Sequence, residues 1–174
     1  MKWWWLVPPV LLGLVLLTGC EEKQYEEMQY EDEQFLEWLS DSLSDTTDLI
    51  DQLSAALDTE NYNEVEVLAD MLHQKCLLYY QRTKSFEVSD KYREVQHHAA
   101  KYFYYSSVYS LYIKEYAHCM REGNYNLAEA FLEKALDYID KCLNELEYIR
   151  EEVTVYYTVI PWGSRMRFHK IPAN

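Results

Sequence analysis

Glycine and proline are almost missing from the middle of this 174-residue chain. Residues 20 to 160 contain one glycine, Gly123, and no proline, although both residue types occur near the two ends. Tight turns between β-strands need many more of these residues, whereas helix interiors exclude them because both destabilise a helix. The sequence therefore predicts long α-helices and excludes a fold made of many short strands.

Four segments repeat their apolar residues three or four positions apart, which is typical of amphipathic helices. They cover residues 34–58, 61–84, 89–122 and 124–152. The predicted inner faces consist of Phe35, Leu39, Leu43, Ile50, Leu53 and Leu57; Val65, Leu68, Leu72, Cys76 and Tyr79; Tyr92, Val95, Ala99, Tyr102, Ser106, Tyr109, Ile113, Tyr116 and Met120; and Leu127, Phe131, Ala135, Tyr138, Cys142, Leu146 and Ile149. The residues for which we specifically predict burial are Leu68, Leu72, Ile113, Phe131 and Leu146.

The sequence also contains an internal repeat with a period of 63 residues. The triplet Asn-Tyr-Asn occurs at residues 61–63 and again at 124–126, each time after a polar break and before a similar apolar pattern. An asparagine at such a place caps a helix by accepting a hydrogen bond from a backbone N–H. Two similar helical hairpins with short connections predict an all-α, up-down-up-down four-helix bundle.

The character of the chain changes on both sides of the predicted bundle, which we place at residues 34–152. Residues 20–33 carry seven Asp or Glu and one lysine, so we expect an acidic tether that is too charged to bury. From residue 153 the side chains are β-branched or aromatic, which favours an extended conformation. This tail, residues 153–174, has no acidic residue. It lies on the acidic bundle, is disordered, or contacts anionic headgroups through its basic residues, Arg165, Arg167 and Lys170.

Composition and motifs exclude several classes of function. The formal charge of the chain is −14, from 30 Asp or Glu and 16 Lys or Arg. Non-specific nucleic-acid binding depends on basic side chains that neutralise phosphates, so we expect no nucleic-acid partner. A haem-attachment motif, a phosphate-cradling glycine loop and a serine-nucleophile elbow are all missing. The sequence therefore predicts no catalytic residue and no cofactor.

The first 20 residues have the plan of a secretory signal: a lysine, an apolar run and small residues before a cysteine. The apolar run is too short to span a membrane. Its end, Leu17-Thr18-Gly19-Cys20, resembles the lipobox of prokaryotic membrane lipoproteins.

This resemblance implies that a signal peptidase removes residues 1–19 and that Cys20 carries lipid. Two or more acyl chains on one residue are enough for stable membrane anchoring, so the mature protein is expected outside the cytoplasm, on a membrane. Pro8 and Pro9 are unusual inside such an apolar run. They leave open an ordinary or uncleaved signal peptide in which Cys20 is incidental.

A second, shorter resemblance covers about 14 residues. Gly123-Asn124-Tyr125, followed by Ala128, Leu132, Ala135 and Leu136, is similar to the turn and second helix of a tetratricopeptide repeat. That family uses helical hairpins to bind proteins, which implies a short repeat-type binding module as an alternative to an ordinary hairpin. Tyr116 stands where the family has a small residue, and the period of 63 differs from the family's ~34 residues.

Two Glu-x-x-His motifs, at residues 94–97 and 115–118, have the spacing of metal-binding carboxylate and imidazole pairs. Both lie on the third predicted helix, 21 residues apart, and this separation of roughly 30 Å is too long for one site. Asp70 and His73 on the second helix stand level with the first motif, but Asp70 points nearly opposite the core residue Leu72. We therefore predict no metal site.

The cysteines beyond Cys20 are Cys76, Cys119 and Cys142, and three thiols cannot all pair within one chain. Cys76 and Cys142 lie on predicted inner faces at similar heights. If their helices are diagonal, their backbones are beyond the ~7 Å limit for a disulfide. We therefore predict buried, free thiols.

Tyrosine is unusually frequent, with 17 residues. Tyr105, Tyr109, Tyr112 and Tyr116 follow one another along the third helix and form a tyrosine ridge. Tyrosine supplies core bulk with a hydroxyl that can reach water, and it is also enriched at binding surfaces. The ridge is thus either structural or a contact surface.

These observations favour a lipid-anchored extracytoplasmic protein that acts as an adaptor or scaffold. Its expected partners are the membrane, through Cys20, and another protein of the cell envelope. The alternative hypothesis, from a different class of function, is a small-ligand-binding lipoprotein. Its pocket would be the tyrosine-lined interior of the bundle, around Tyr102, Tyr109 and Tyr116. An enclosed cavity there would favour the receptor, and a filled core would favour the adaptor.

Overall fold

The computed structural model describes the backbone of residues 7–154, 157–159 and 168–170, and the side chains of residues 32–153. The elements are α1 (Val7–Asp58), α2 (Tyr62–Ser85), a 3-10 turn (Asp90–Tyr92), α3 (Arg93–Arg121), α4 (Tyr125–Thr154), β1 (Tyr157–Val159) and β2 (Phe168–Lys170). The predicted all-α four-helix bundle is confirmed. In it, α3 packs along both α2 and α4, and α1 packs on α2.

The two hairpin turns are built in the same way. The N–H groups of Glu60 and Asn61 bond to carbonyls three and five residues back, at 3.0 and 2.9 Å, and those of Gly123 and Asn124 do the same at 3.2 and 2.9 Å. Glu60 and Gly123 both have positive φ, 54° and 72°. This is the Schellman ending of a helix, with a left-handed residue just after its last turn. The predicted repeat of two helical hairpins therefore extends to the backbone of the turns.

The predicted start of the first helix, near residue 34, is wrong. α1 begins at Val7 and passes without a break through the predicted leader and tether. Residues 21–33 are rich in Glu and Gln, which are good helix formers, and the segment contains neither glycine nor proline. Asp32, assigned to the tether, is buried and accepts a hydrogen bond of 2.8 Å from the Ser89 N–H. The bundle therefore begins at least two residues earlier than expected.

The core combines residues from all four helices. Leu68, Leu72 and Ile113 are buried, as predicted. Phe131 and Leu146 are only half-buried, so that part of the prediction is wrong.

The buried residues of α4 that face the core stand seven positions apart. Ala135, Cys142 and Ile149 are buried, as predicted, and Ala128, which was not assigned to the inner face, is buried as well. Helices approach more closely when the side chains between them are small. The larger residues of α4 are consequently displaced to the edges, and Leu127, which was also assigned to the inner face, is exposed.

After α4, β1 and β2 pair antiparallel, with Thr158 opposite His169. β1 lies in the segment expected to be extended, and α4 ends at Thr154, close to the predicted end at residue 152. Lys170 of the basic tail is in β2. Arg165 and Arg167 lie outside the described residues.

Candidate functional site

The tyrosine ridge lies between α3 and its neighbours. Tyr105, Tyr112 and Tyr116 are half-buried, and Tyr109 is buried. The Tyr138 ring of α4 is 6.1 Å from the Tyr105 ring and 5.6 Å from the Tyr112 ring, between centroids. The ridge is therefore held by aromatic packing across helices, and its role as a contact surface stays a prediction.

The interior of the bundle beside the ridge is filled by side chains. Tyr102 is buried, and its hydroxyl lies near Ser106, Thr47 and Cys76. Ser106 Oγ lies 3.4 Å from Cys142 Sγ. Side chains of all four helices meet around Tyr102. A receptor with its pocket inside the bundle would need open space in the same place.

The three described cysteines, Cys76, Cys119 and Cys142, are buried and free, as predicted. Burial raises the pKa of Cys76 to about 12 and that of Cys142 to about 11. Because the thiolate is the reactive form of cysteine, these two side chains are inert packing residues at neutral pH.

The carboxylate and imidazole pairs considered for metal binding have other partners. Asp70 pairs with Lys114 at 2.7 Å, and His73 Nδ1 lies 2.9 Å from the Ser107 carbonyl oxygen. His118 Nδ1 lies 3.7 Å from a Glu66 carboxylate oxygen. Among the described residues, no group of three or more His, Cys, Asp or Glu is arranged to hold a metal ion.

The sequence analysis missed a polar cluster between α1 and α2. Lys75 Nζ lies 2.6 Å from Asp45 Oδ2, and the Tyr79 hydroxyl donates to the same carboxylate. Partial burial alone would raise the pKa of Asp45, but the hydrogen bonds from Lys75 and Tyr79 outweigh burial and lower it. The break in the apolar pattern of α1 at residues 44–47 was the available signal.

A second polar cluster that the sequence analysis missed joins α3 to α4. His98 Nδ1 pairs with Glu145, and the His98 ring stacks on Tyr148 at 3.6 Å between centroids. Lys101 Nζ lies 3.9 Å from the other Glu145 oxygen. Both clusters connect helices and are structural in character.

One side of α4 carries a row of apolar residues that no other helix covers completely. Leu136 and Leu143 are 56% and 50% exposed. Leu132, Ile139 and Leu146 are half-buried and alternate with these two leucines along the same side of the helix. We call these five residues the α4 leucine row.

The position of the α4 leucine row explains its exposure. Leu132, Ile139 and Leu146 each come one residue after a side chain that contacts α3. Successive residues of a helix are about 100° apart, so the row lies about 100° around α4 from that contact. The backbone of α1 packs much more closely on α2 than on α4. Leu132, Ile139 and Leu146 pack in part against the hydrophobic core, and Leu136 and Leu143 are the exposed members of the row.

An open groove of about 510 Å³ lies between the end of α2 and the start of α3. Its lining includes Tyr80 and Lys84 from α2 and Arg93, His97 and Lys101 from α3. The periodicity analysis did not find this groove because its residues are polar or aromatic and lie outside the inner faces.

No helix in the described part of the chain has an apolar stretch long enough to cross a membrane. No family model, curated protein or solved structure matches this chain.

Proposed function

We propose that this chain is a lipid-anchored helical protein that works outside the cytoplasm and binds a partner protein of the cell envelope, without catalysis. The lipid anchor rests on the lipobox that ends at Cys20. The partner-binding role rests on the α4 leucine row, which is the observation that carries this proposal.

The α4 leucine row has the properties of a docking site for a helix. Contiguous exposed apolar residues mark interaction sites more often than isolated ones do. The row advances in steps of three and four residues, from Leu132 to Leu146, so it forms a straight strip along α4. An amphipathic helix that lays its apolar face on another helix uses the same spacing. The partner segment we propose is therefore an amphipathic helix.

The alternative function, a receptor with its pocket inside the bundle, has less support. Tyr102, Ser106 and the two central cysteines occupy the space around which the tyrosines would have to form a cavity. Opening this space would expose buried apolar surface and break the contact of Ser106 with Cys142, both of which cost free energy.

The test is to place charge on the α4 leucine row. We expect the double variant Leu136→Glu/Leu143→Glu to keep its helical content. Its capture of the partner, measured by cross-linking in native membranes, should fall to a small fraction of the wild-type level. Both side chains are half exposed or more, so the effect on folding is small.

The matched control is Val67→Glu/Leu78→Glu on α2, where the two side chains are 60% and 63% exposed. It introduces the same charge on a different helix, and capture of the partner should stay at the wild-type level. Undiminished capture by the α4 variant, or equal loss in both variants, would contradict the proposal.

A further inference from the structure

We propose that the groove between α2 and α3 is a binding site for a ligand that carries a phosphate ester on a planar, apolar body. This inference is independent of the α4 leucine row and of the lipid anchor. It rests on the charge, the aromatic walls and the rigid frame of the groove.

The segment that forms the groove has a net positive charge, whereas the whole chain has a net negative charge. The chain as a whole has a formal charge of −14, yet residues 80–104 contain five Lys or Arg and three Asp or Glu. Three of those cations, Lys84, Arg93 and Lys101, line the groove together with His97. Basic side chains that converge on one cleft attract anions and raise their local concentration.

The cations of the groove are weakly engaged by the protein itself. Lys84 Nζ lies 3.3 Å from the Tyr80 hydroxyl and 4.9 Å from the centre of its ring, so its contact is with tyrosine. Lys101 Nζ is 3.9 Å from Glu145, at the limit of an ion pair. Arg93 pairs with Asp90 at 2.6 Å, but both side chains are strongly exposed, and such pairs contribute little. An incoming anion therefore displaces few strong contacts.

Two tyrosines give the groove an apolar wall. The rings of Tyr80 and Tyr104 are 6.0 Å apart and tilted by 49°. Tyr104 is 46% exposed although it is a large aromatic residue. A planar ligand body can pack against these rings while its charged group reaches the lysines.

The groove is held open by a fixed hydrogen-bond bridge. Gln96 Nε2 of α3 donates to the carbonyl oxygens of Thr83 and Phe86, at 2.9 and 2.8 Å. The Phe86 ring packs against Phe35 of α1, with 5.4 Å between centroids. The bridge joins the end of α2 to α3, and ligand sites are usually preformed in this way.

The lining favours phosphate over a single carboxylate. A phosphate monoester has a charge near −2 at neutral pH and three acceptor oxygens, which suits a groove lined by several cations. The planar guanidinium of Arg93 can bind two of these oxygens at once, and the lysine ammoniums act as point charges. The volume of about 510 Å³ fits a small molecule or a lipid headgroup.

The test is titration calorimetry of the full chain in neutral detergent, with phenyl phosphate as the probe and inorganic phosphate and phenol as its two halves. We expect phenyl phosphate to bind more tightly than either half. The variant Lys84→Gln/Lys101→Gln should weaken phenyl phosphate binding at least tenfold. Tyr104→Ser should weaken phenyl phosphate but leave inorganic phosphate unchanged.

The charge-matched control, Lys134→Gln/Lys141→Gln, removes two lysines from α4 and should bind phenyl phosphate like the wild type. A further titration adds phosphatidic acid, a lipid phosphate monoester without a planar body, to the micelles. We expect this lipid to displace little phenyl phosphate from the wild type, and full displacement would overturn the requirement for a planar ligand body. Equal loss of affinity in both lysine variants, or no phenyl phosphate binding by the wild type, would overturn the proposal.

Discussion

Glu60 and Gly123 occupy equivalent places in the two hairpin turns, but only one of them is a glycine. Both have the positive φ of a Schellman ending. A side chain makes this conformation unfavourable by roughly 1–2 kcal/mol, because Cβ comes too close to the backbone. An added Cβ on Gly123 would meet no atom within 4 Å, so any cost of a substitution there comes from the backbone conformation.

We expect Glu60→Gly to raise the free energy of unfolding by about 0.5–1 kcal/mol, since the relief of the left-handed conformation exceeds the entropy cost of glycine. Gly123→Ala should lower it by about 1 kcal/mol for the opposite reason. Urea denaturation of the two variants and the wild type gives both values. Changes of the same sign would contradict the equivalence of the two turns.

Because the thiols are buried, the free energy of unfolding decreases as the pH rises above 9. In the unfolded chain a cysteine titrates near 9.0, whereas burial raises the pKa of Cys76 to about 12 in the folded protein. Below pH 9 the Cys76 thiol is protonated in both the folded and the unfolded state, so its burial contributes fully to the free energy of unfolding. Above pH 9 the unfolded state loses the proton first, so stability falls until the folded pKa is reached.

We expect Cys76 alone to lower the free energy of unfolding by about 2 kcal/mol between pH 9 and pH 11. The measurement is urea denaturation at the two pH values, for the wild type and for Cys76→Ala. The variant should show a smaller decrease, although its stability at pH 7 is also lower because of the cavity. The same decrease in both proteins would contradict this assignment.

At the scale of the element, α3 is the centre of the molecule because it contacts both α2 and α4 along its length. The tyrosine ridge lies on this helix, and its rings pack on Tyr138 of α4 and Tyr62 of α2. Each aromatic pair contributes about 0.5–1.5 kcal/mol beyond the area it buries. We therefore expect the ridge to stabilise the bundle before any partner binds.

We predict that Tyr105→Ser/Tyr112→Ser lowers the free energy of unfolding by about 2–4 kcal/mol, because half-buried aromatic packing is lost. Tyr125→Ser is the control. Its ring is 66% exposed, so a change of less than about 0.5 kcal/mol is expected. Thermal melting of the three proteins checks both values, and a double variant that melts with the wild type would show that the ridge is free surface.

The helices and their order were predictable from one sequence because spacing and the lack of glycine and proline act locally. Ala135, Cys142 and Ile149 were assigned correctly to the inner face of α4. Leu127 and Phe131 were not, because periodicity favours large apolar residues, whereas close packing on α3 selects Ala128. The early start of α1 was missed because charge was taken to oppose helix formation. The contact of Asp45 with Lys75 joins residues that are 30 positions apart, and a single sequence does not reveal which distant side chains meet.

At the scale of the whole molecule, α1 connects the predicted lipid site to the bundle as one helix. From Cys20 to Asp32, the first residue of α1 whose side chain is described, α1 rises by about 18 Å. Asp32 contacts the connection between α2 and α3 through Ser89. The α2–α3 groove is therefore at the end of the bundle nearer to Cys20.

Replacing Cys20 by Ser removes the thiol that the lipobox would acylate. We expect the variant to leave the membrane fraction after a high-salt wash, whereas the wild type stays, because the acyl chains supply the membrane affinity. Mass spectrometry of the mature N-terminus is the accompanying measurement. A variant that still sediments with membranes would contradict anchoring through this residue.

The central claim is that the α4 leucine row receives a helix of another envelope protein. The most direct measurement is site-specific photocross-linking in native membranes, with a photoreactive amino acid at position 143 and, in a parallel protein, at position 78 of α2. We predict one discrete cross-linked band from position 143 and none of that mass from position 78. The same band from both positions, or no band from position 143, would contradict the claim.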